Sequence, residues 1–113
     1  MSTVNLNDWI AQIRSCDHMT YEHAFWGERP NGPEVISRLV AEMQNSADAD
    51  TRGKFIELLG EMGDASVVAL LMQELFHNEI GIRQWTVWAL EELGFPEGLS
   101  AAKTCRETYP DEF

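Results

Sequence analysis

The sequence predicts an all-α fold, a short α-solenoid of stacked antiparallel helical hairpins with about six to seven helices. Three observations predict it. Apolar residues recur at helical spacing, Gly and Pro fall between the periodic segments, and one pattern of residues occurs twice. With 113 residues, 44% of them hydrophobic, the chain has the length of a single domain and enough apolar side chains for a core.

The first two predicted helices are short and precede a loop. Asn7 and Asp8 are expected to cap the first helix, and a second helix is expected from about Thr20 to Trp26. Residues 27–33 contain two glycines and two prolines, so they must form a loop, because these residue types do not continue a helix.

The remaining chain has a more regular pattern. Helices are expected over residues 34–44, 50–62, 65–76, 80–93 and 97–108, with Gly63 and Gly94 as C-caps. The domain therefore divides into a divergent N-terminal hairpin (1–32), two repeats (33–63 and 64–94), a C-terminal capping helix (95–108) and a tail (109–113) that is expected to fray.

The two repeats share residues at a spacing of 31. Arg52, Leu59, Glu61 and Gly63 recur as Arg83, Leu90, Glu92 and Gly94. Each unit is a helix, a short turn and a second helix that ends in glycine. One helical pair cannot bury its own apolar face, so neighbouring pairs stack and share a core. The arginine in each second helix is expected to reach acidic groups in the turns between repeats.

These residues resemble the HEAT repeat. The resemblance rests on the segments 48–52, 58–64, 82–83 and 89–94, and it extends from about Pro33 to Ala102. It implies a binding module and not an enzyme. It also implies that a protein partner binds on the concave face, which the second helix of each pair lines.

The repeat spacing predicts which residues lie on that face. Trp26, Glu57 and Trp88 are equivalent positions, and Gly53 and Gly60 fall in neighbouring rows. The full candidate set is Glu22, Trp26, Glu57, Glu61, Gln84, Trp88, Glu91 and Glu92. Aromatic residues are enriched at binding hot spots, which favours an exposed Trp88. The alternative is that Trp88, one turn from Trp85, packs into the stack.

The charge balance narrows the range of partners. Nineteen acidic residues against eight Lys and Arg give a net charge of −11. This charge disfavours nucleic acids and anionic membranes, and it favours a basic protein partner, although solubility alone also explains it. The polar N-terminus does not resemble a signal peptide, and no apolar run approaches the roughly 18 residues of a membrane span, so a soluble, cytoplasmic protein is expected.

No catalytic motif, cofactor motif or metal site is predicted. The chain lacks a glycine-rich phosphate loop, H-E-x-x-H and G-x-S-x-G. Cys16, His18 and His23 are close in sequence, but their spacing matches no common zinc pattern, so a surface turn before a helix is the better interpretation. Cys16 and Cys105 are expected to be reduced and partly buried, with a bridge between them as the alternative.

Two functions remain. A small, acidic HEAT-like domain without catalytic motifs resembles immunity proteins, which neutralise a cognate toxin delivered by neighbouring cells. Such a toxin is often a nuclease and therefore basic. The alternative is a HEAT scaffold, adaptor or regulatory subunit in a larger complex. The sequence does not specify the oligomeric state.

Overall fold

A computed structural model of the protein describes residues 4–113. In that range the backbone forms seven α-helices, two short 3-10 helices and no strand. The α-helices are α1 Leu6–Ile13, α2 His18–Trp26, α3 Pro33–Gln44, α4 Ala49–Met62, α5 Val68–Glu74, α6 Ile80–Leu93 and α7 Pro96–Thr108, and the 3-10 helices are Ala65–Val67 and Pro110–Glu112. The chain divides after Arg38, inside α3, into two units.

The first unit contains the hairpin of α1 and α2. Trp9, Ile10 and Ile13 of α1 are buried, as are Ala24 and Phe25 of α2. The indole Nε1 of Trp9 donates a 3.0 Å hydrogen bond to the carbonyl oxygen of Ala24. The ring therefore contributes its apolar area to this small core without leaving a buried polar atom unpaired.

Both of these helices begin before the predicted caps. Asn5 caps α1, where its side chain accepts a hydrogen bond of 3.1 Å from the backbone N–H of Asp8. Asp17 caps α2 and accepts from the backbone N–H of Thr20 at 3.0 Å. The predicted caps Asn7, Asp8 and Thr20 are therefore wrong, because an upstream polar residue already satisfies the first-turn N–H groups.

The second unit consists of two helix layers. Helices α4 and α6 pack side by side in one layer, α5 and α7 pack in the other, and α6 contacts both α5 and α7. Its core is made of fully buried aliphatic and aromatic side chains from α3 to α6, among them Leu39, Phe55, Leu59, Leu71, Ile82 and Leu90. Together with the repeat, this packing confirms the expected all-α solenoid of antiparallel hairpins.

The ends of the repeat helices follow the local sequence signals. Asp48 caps α4 by accepting from the N–H of Thr51 at 2.9 Å. Gly63 and Gly94 end α4 and α6 in the left-handed region, with φ of 73° and 75°. Both predicted C-caps are confirmed. The helix predicted over residues 65–76 differs, because a 3-10 turn replaces its start and α5 ends at Glu74.

A mostly buried ion pair joins the repeats at Arg52. Its guanidinium donates to both carboxylate oxygens of Glu74, at 2.8 and 2.6 Å, and to the carbonyl oxygen of Met43 at 2.9 Å. The side chains of Arg52 and Glu74 are 14% and 10% exposed. The expected acidic partner in an inter-repeat turn is therefore wrong: the partner lies in the last turn of α5.

The C-terminal tail packs against α6 and α7. Both carboxylate oxygens of Glu112 accept hydrogen bonds from the guanidinium of Arg83, which is the repeat equivalent of Arg52. The ring of Phe113 lies 5.0 Å from the guanidinium carbon of Arg106. The expectation that this segment frays is wrong, since a paired carboxylate and an aromatic side chain hold it in place.

Candidate partner-binding surface

Two glycines allow α4 and α6 to pack closely. A Cβ atom on Gly53 would lie 2.6 Å from Cδ1 of Trp85, and a Cβ atom on Gly60 would lie 2.9 Å from Cα of Ala89. Both distances are shorter than the contact distance of two carbon atoms. Gly53 and Gly60 are buried between the two helices, so the expectation that they lie in rows of an exposed face is wrong.

This packing positions an aromatic pair on α6. Trp85 occupies the space over Gly53, and the ring of Trp88 stands edge-on to it, with centroids 5.5 Å apart and an interplanar angle of 87°. Trp88 is 46% exposed. The two interpretations of Trp88, an exposed ring and a ring packed into the stack, are thus each partly correct, since the ring packs against Trp85 and still exposes about half of its area to solvent.

Carboxylates lie on the same two helices. Glu57 is half-buried and Glu61 is exposed, one turn apart on α4. Glu92 is exposed on α6, one turn after Trp88. Because α4 and α6 pack side by side, with Trp85 lying over Gly53 one turn before Glu57, we group five residues as one candidate surface, called here the α4–α6 surface: Glu57, Glu61, Trp85, Trp88 and Glu92.

Two predicted binding residues of α6 are engaged inside the molecule. The side-chain amide of Gln84 donates to the backbone carbonyl of Glu112. The carboxylate of Glu91 accepts two hydrogen bonds of 2.8 Å from Arg106 of α7. Gln84 and Glu91 occupy the flank of α6 that corresponds to Gly53 and Gly60 on α4. On α4 that flank faces α6, and on α6 it faces the C-terminal tail and α7.

The other two predicted residues belong to the first unit. Trp26 is 71% exposed, and its indole N–H donates to Glu22 at 2.9 Å. The ring stands edge-on to buried Phe25, with centroids 4.8 Å apart. His18 Nε2 lies 3.5 Å from the same carboxylate of Glu22. The predicted alignment of Trp26 with Glu57 and Trp88 stays a prediction.

The contact between Arg83 and Glu112 was missed by the sequence reasoning, although a signal for it existed. The residue 31 positions after Glu74 is Cys105, which carries no carboxylate. The second arginine therefore needs an acidic partner from elsewhere, and Glu112 supplies it. This hydrogen bond raises the pKa of Arg83, and burial raises the pKa of the Cys105 thiol.

Within residues 4–113, no set of three or more His, Cys, Asp or Glu side chains could hold a metal ion. None of the helices in that range has the length and apolar character needed to cross a bilayer. Both cysteines are free thiols, Cys105 buried and Cys16 exposed, so the expectation of partial burial is wrong for Cys16.

Comparison with known proteins supports the repeat architecture. The family described as HEAT repeats matches residues 36–113, which include the last helix and all but the first three residues of the two repeats. No curated protein and no solved structure matches the chain. HEAT repeats generally mediate interactions between proteins, and the α4–α6 surface combines two tryptophans with three carboxylates. The repeat spacing, the stacked hairpins and this match agree: the chain belongs to the HEAT-repeat family.

Proposed function

We propose that this protein binds a protein partner through the α4–α6 surface, with Trp88 as the central anchor. The observation that carries the proposal is the half-exposed Trp88 ring held edge-on against Trp85. Tryptophan is enriched at the centres of interfaces, where a few residues account for most of the binding free energy. A ring already held in place loses less conformational entropy when a partner covers it.

The carboxylates around Trp88 favour a basic partner. Glu61 is exposed on α4 and Glu92 on α6, the helix that carries the aromatic pair, and the whole chain carries a net charge of −11. Opposite charges steer association and orient the partner, while desolvated aromatic contacts slow dissociation. A lysine or arginine of the partner can also lie over the exposed face of the Trp88 ring.

Two specific functions fit such a surface. A scaffold, adaptor or regulatory subunit is the function that the family match supports. An immunity protein that neutralises a basic, nuclease-type toxin in the cytoplasm is the second candidate, and the acidity of the chain is the observation that favours it. A gene for a large secreted toxin directly upstream would favour the second function, and an unrelated metabolic operon there would exclude it.

The test compares four forms of the protein in pull-downs from the native host. Wild type, Trp88→Ala, Glu92→Lys and Leu99→Ala are used as baits, and Leu99 provides the matched control because it is an exposed apolar residue of α7. We expect the partner to be retained by wild type and Leu99→Ala and lost with Trp88→Ala and Glu92→Lys. Retention of every interacting protein by Trp88→Ala would show that the surface is misplaced.

Kinetics with the purified partner then test the role of charge. Truncating a central tryptophan is expected to cost about 2 kcal/mol or more, which is at least about thirtyfold in affinity and appears mainly in the dissociation rate. The association rate should fall as NaCl screens the attraction. An association rate that does not depend on salt would contradict the basic-partner proposal.

A further inference from the structure

An apolar groove lies in the other helix layer, between α5 and α7. Its volume is about 250 Å³, and its lining combines α5, α7 and the first residue of the tail. The lining residues are all uncharged: Met72, Leu75, Phe76, Ala101, Thr104, Cys105, Thr108 and Tyr109. None of them belongs to the α4–α6 surface, so this is a second, separate feature of the second unit.

The two threonine hydroxyls of the groove already donate hydrogen bonds within α7. The hydroxyl of Thr104 donates to the carbonyl oxygen of Ser100 at 3.1 Å, and that of Thr108 donates to the carbonyl oxygen of Thr104 at 2.8 Å. The two threonines therefore have little need for a polar ligand. The Cys105 thiol is buried, and its raised pKa keeps it neutral. The mostly apolar lining therefore favours an apolar occupant.

A large apolar side chain stands at the rim of the same groove. Phe76 follows the end of α5 and is 89% exposed, although it is one of the lining residues. An aromatic side chain can bury about 150–250 Å² of surface, so covering Phe76 with a partner would contribute favourably to the free energy of association. The molecule thus carries an apolar knob and an apolar cavity next to each other.

We propose that a second copy of this chain occupies the groove, with Phe76 of each copy inserted into the groove of the other. A knob and a cavity on one patch are self-complementary under a two-fold axis, which is the commonest symmetry of soluble oligomers. The inserted ring would cover Met72 and Cys105 and would itself leave solvent. This inference concerns a different face from the proposed function and does not depend on it.

The net charge restricts where two copies of this chain can meet. Two chains that each carry a net charge of −11 repel one another, so self-association requires an uncharged contact area. The groove is such an area, since every residue that lines it is neutral. A basic partner, by contrast, gains nothing from an uncharged groove and is better matched by the carboxylates of the α4–α6 surface.

The contact area predicts a weak dimer. Two phenylalanine rings and the walls that they cover bury less than about 1,200 Å², which is the range of weak and transient interfaces. We therefore expect a dissociation constant on the order of 0.1–1 mM. Because like charges oppose association, the dimer should become at least about threefold tighter when NaCl is raised from about 50 to 500 mM.

Sedimentation velocity of the purified protein, from about 10 μM to 1 mM, tests the proposal. Wild type should pass from monomer to dimer, and Phe76→Ser should weaken the dimer at least about tenfold. Thr104→Arg, which introduces a charge into the groove, should have the same effect. Leu99→Ser on α7 and Trp88→Ala on α6 should dimerise as wild type does, because Leu99 and Trp88 lie outside the groove.

The variants also separate the two halves of the contact. Phe76→Ser keeps the groove walls that α5 and α7 supply, and Thr104→Arg keeps the Phe76 side chain, so an equimolar mixture should associate more tightly than either variant alone. A wild type that stays monomeric at about 1 mM overturns the proposal and leaves the groove to another kind of partner. Dimerisation of Phe76→Ser or Thr104→Arg with wild-type affinity overturns it too, as does loss of the dimer in Trp88→Ala.

Discussion

Replacing Gly60 with alanine tests the close packing of α4 against α6. Alanine favours a helix over glycine by up to about 1 kcal/mol, so helix propensity alone predicts a more stable protein. The structure predicts the reverse. The new Cβ atom would lie 2.9 Å from Cα, 3.0 Å from Cβ and 3.3 Å from the carbonyl oxygen of Ala89. Backbone atoms cannot rotate away, so the two helices must separate by roughly 0.5–1 Å.

The two effects can be compared in magnitude. Overpacking a well-packed interface costs about 1–3 kcal/mol, which exceeds the gain in propensity, so a net loss of about 1–2 kcal/mol in the free energy of unfolding is expected. For a chain of this size that loss corresponds to a fall in Tm of roughly 5–10 °C. Equilibrium urea denaturation, followed by the helical circular dichroism signal, measures the free energy directly.

Gly81 provides the matched control because it is a helical glycine with open space. A Cβ atom at Gly81 would meet no atom within 4 Å. Gly81→Ala should therefore raise the free energy of unfolding, by a few tenths to about 1 kcal/mol. If Gly60→Ala stabilises the protein as Gly81→Ala does, α4 and α6 do not approach as closely as described, and the positioning of Trp85 through Gly53 loses its basis as well.

Three further predictions concern the tail, a helix end and a cap. Glu112→Gln should lower the free energy of unfolding by about 1–3 kcal/mol, because Arg83 loses its charged acceptor. The same variant should speed cleavage of the tail by chymotrypsin. Equal effects of the control Glu107→Gln, on the exposed side of α7, would contradict this prediction. Gly94→Ala should cost about 1–2 kcal/mol in urea denaturation, since φ is 75° at that position, and an unchanged midpoint would argue against the left-handed cap. Hydrogen bonds from Thr51 lower the pKa of Asp48 in the folded protein, so its contribution to stability is present above the unfolded pKa of about 3.9 and is lost as pH falls through the lower folded value. Acid titration of Asp48→Asn should therefore show a smaller loss of stability below about pH 4 than wild type. Identical curves would show that Asp48 does not contribute to the pH dependence of stability.

Helix ends show where the local sequence is enough to predict the capping residue and where it is not. Gly63 and Gly94 could be identified as C-caps because a left-handed residue after an apolar helix strongly favours glycine. The N-caps of α1 and α2 could not, because several neighbouring polar residues can each accept a hydrogen bond from a first-turn N–H group. The choice of Asn5 and Asp17 depends on which residues of α1 and α2 are buried in the first hairpin.

The candidate surface likewise contains positions that the sequence could predict and contacts that it could not. The spacing of 31 residues identified Glu57 and Trp88 as equivalent positions on successive second helices, and both have solvent-accessible side chains. The same spacing could not show that Gln84 and Glu91 are occupied by Glu112 and Arg106. Those contacts join residues 28 and 15 positions apart, and no helical periodicity encodes them.

The all-α class, the repeat and the family could be predicted from the sequence, because helix periodicity, glycine caps and a 31-residue recurrence are local or regular features. The contacts that individual side chains make between helices could not. Arg83 takes its carboxylate from the tail, Trp85 takes the space over Gly53, and Trp88 is left half-exposed. The physical reason is that such contacts depend on the distance between helices, and that distance is set by the packing of residues far apart in the chain.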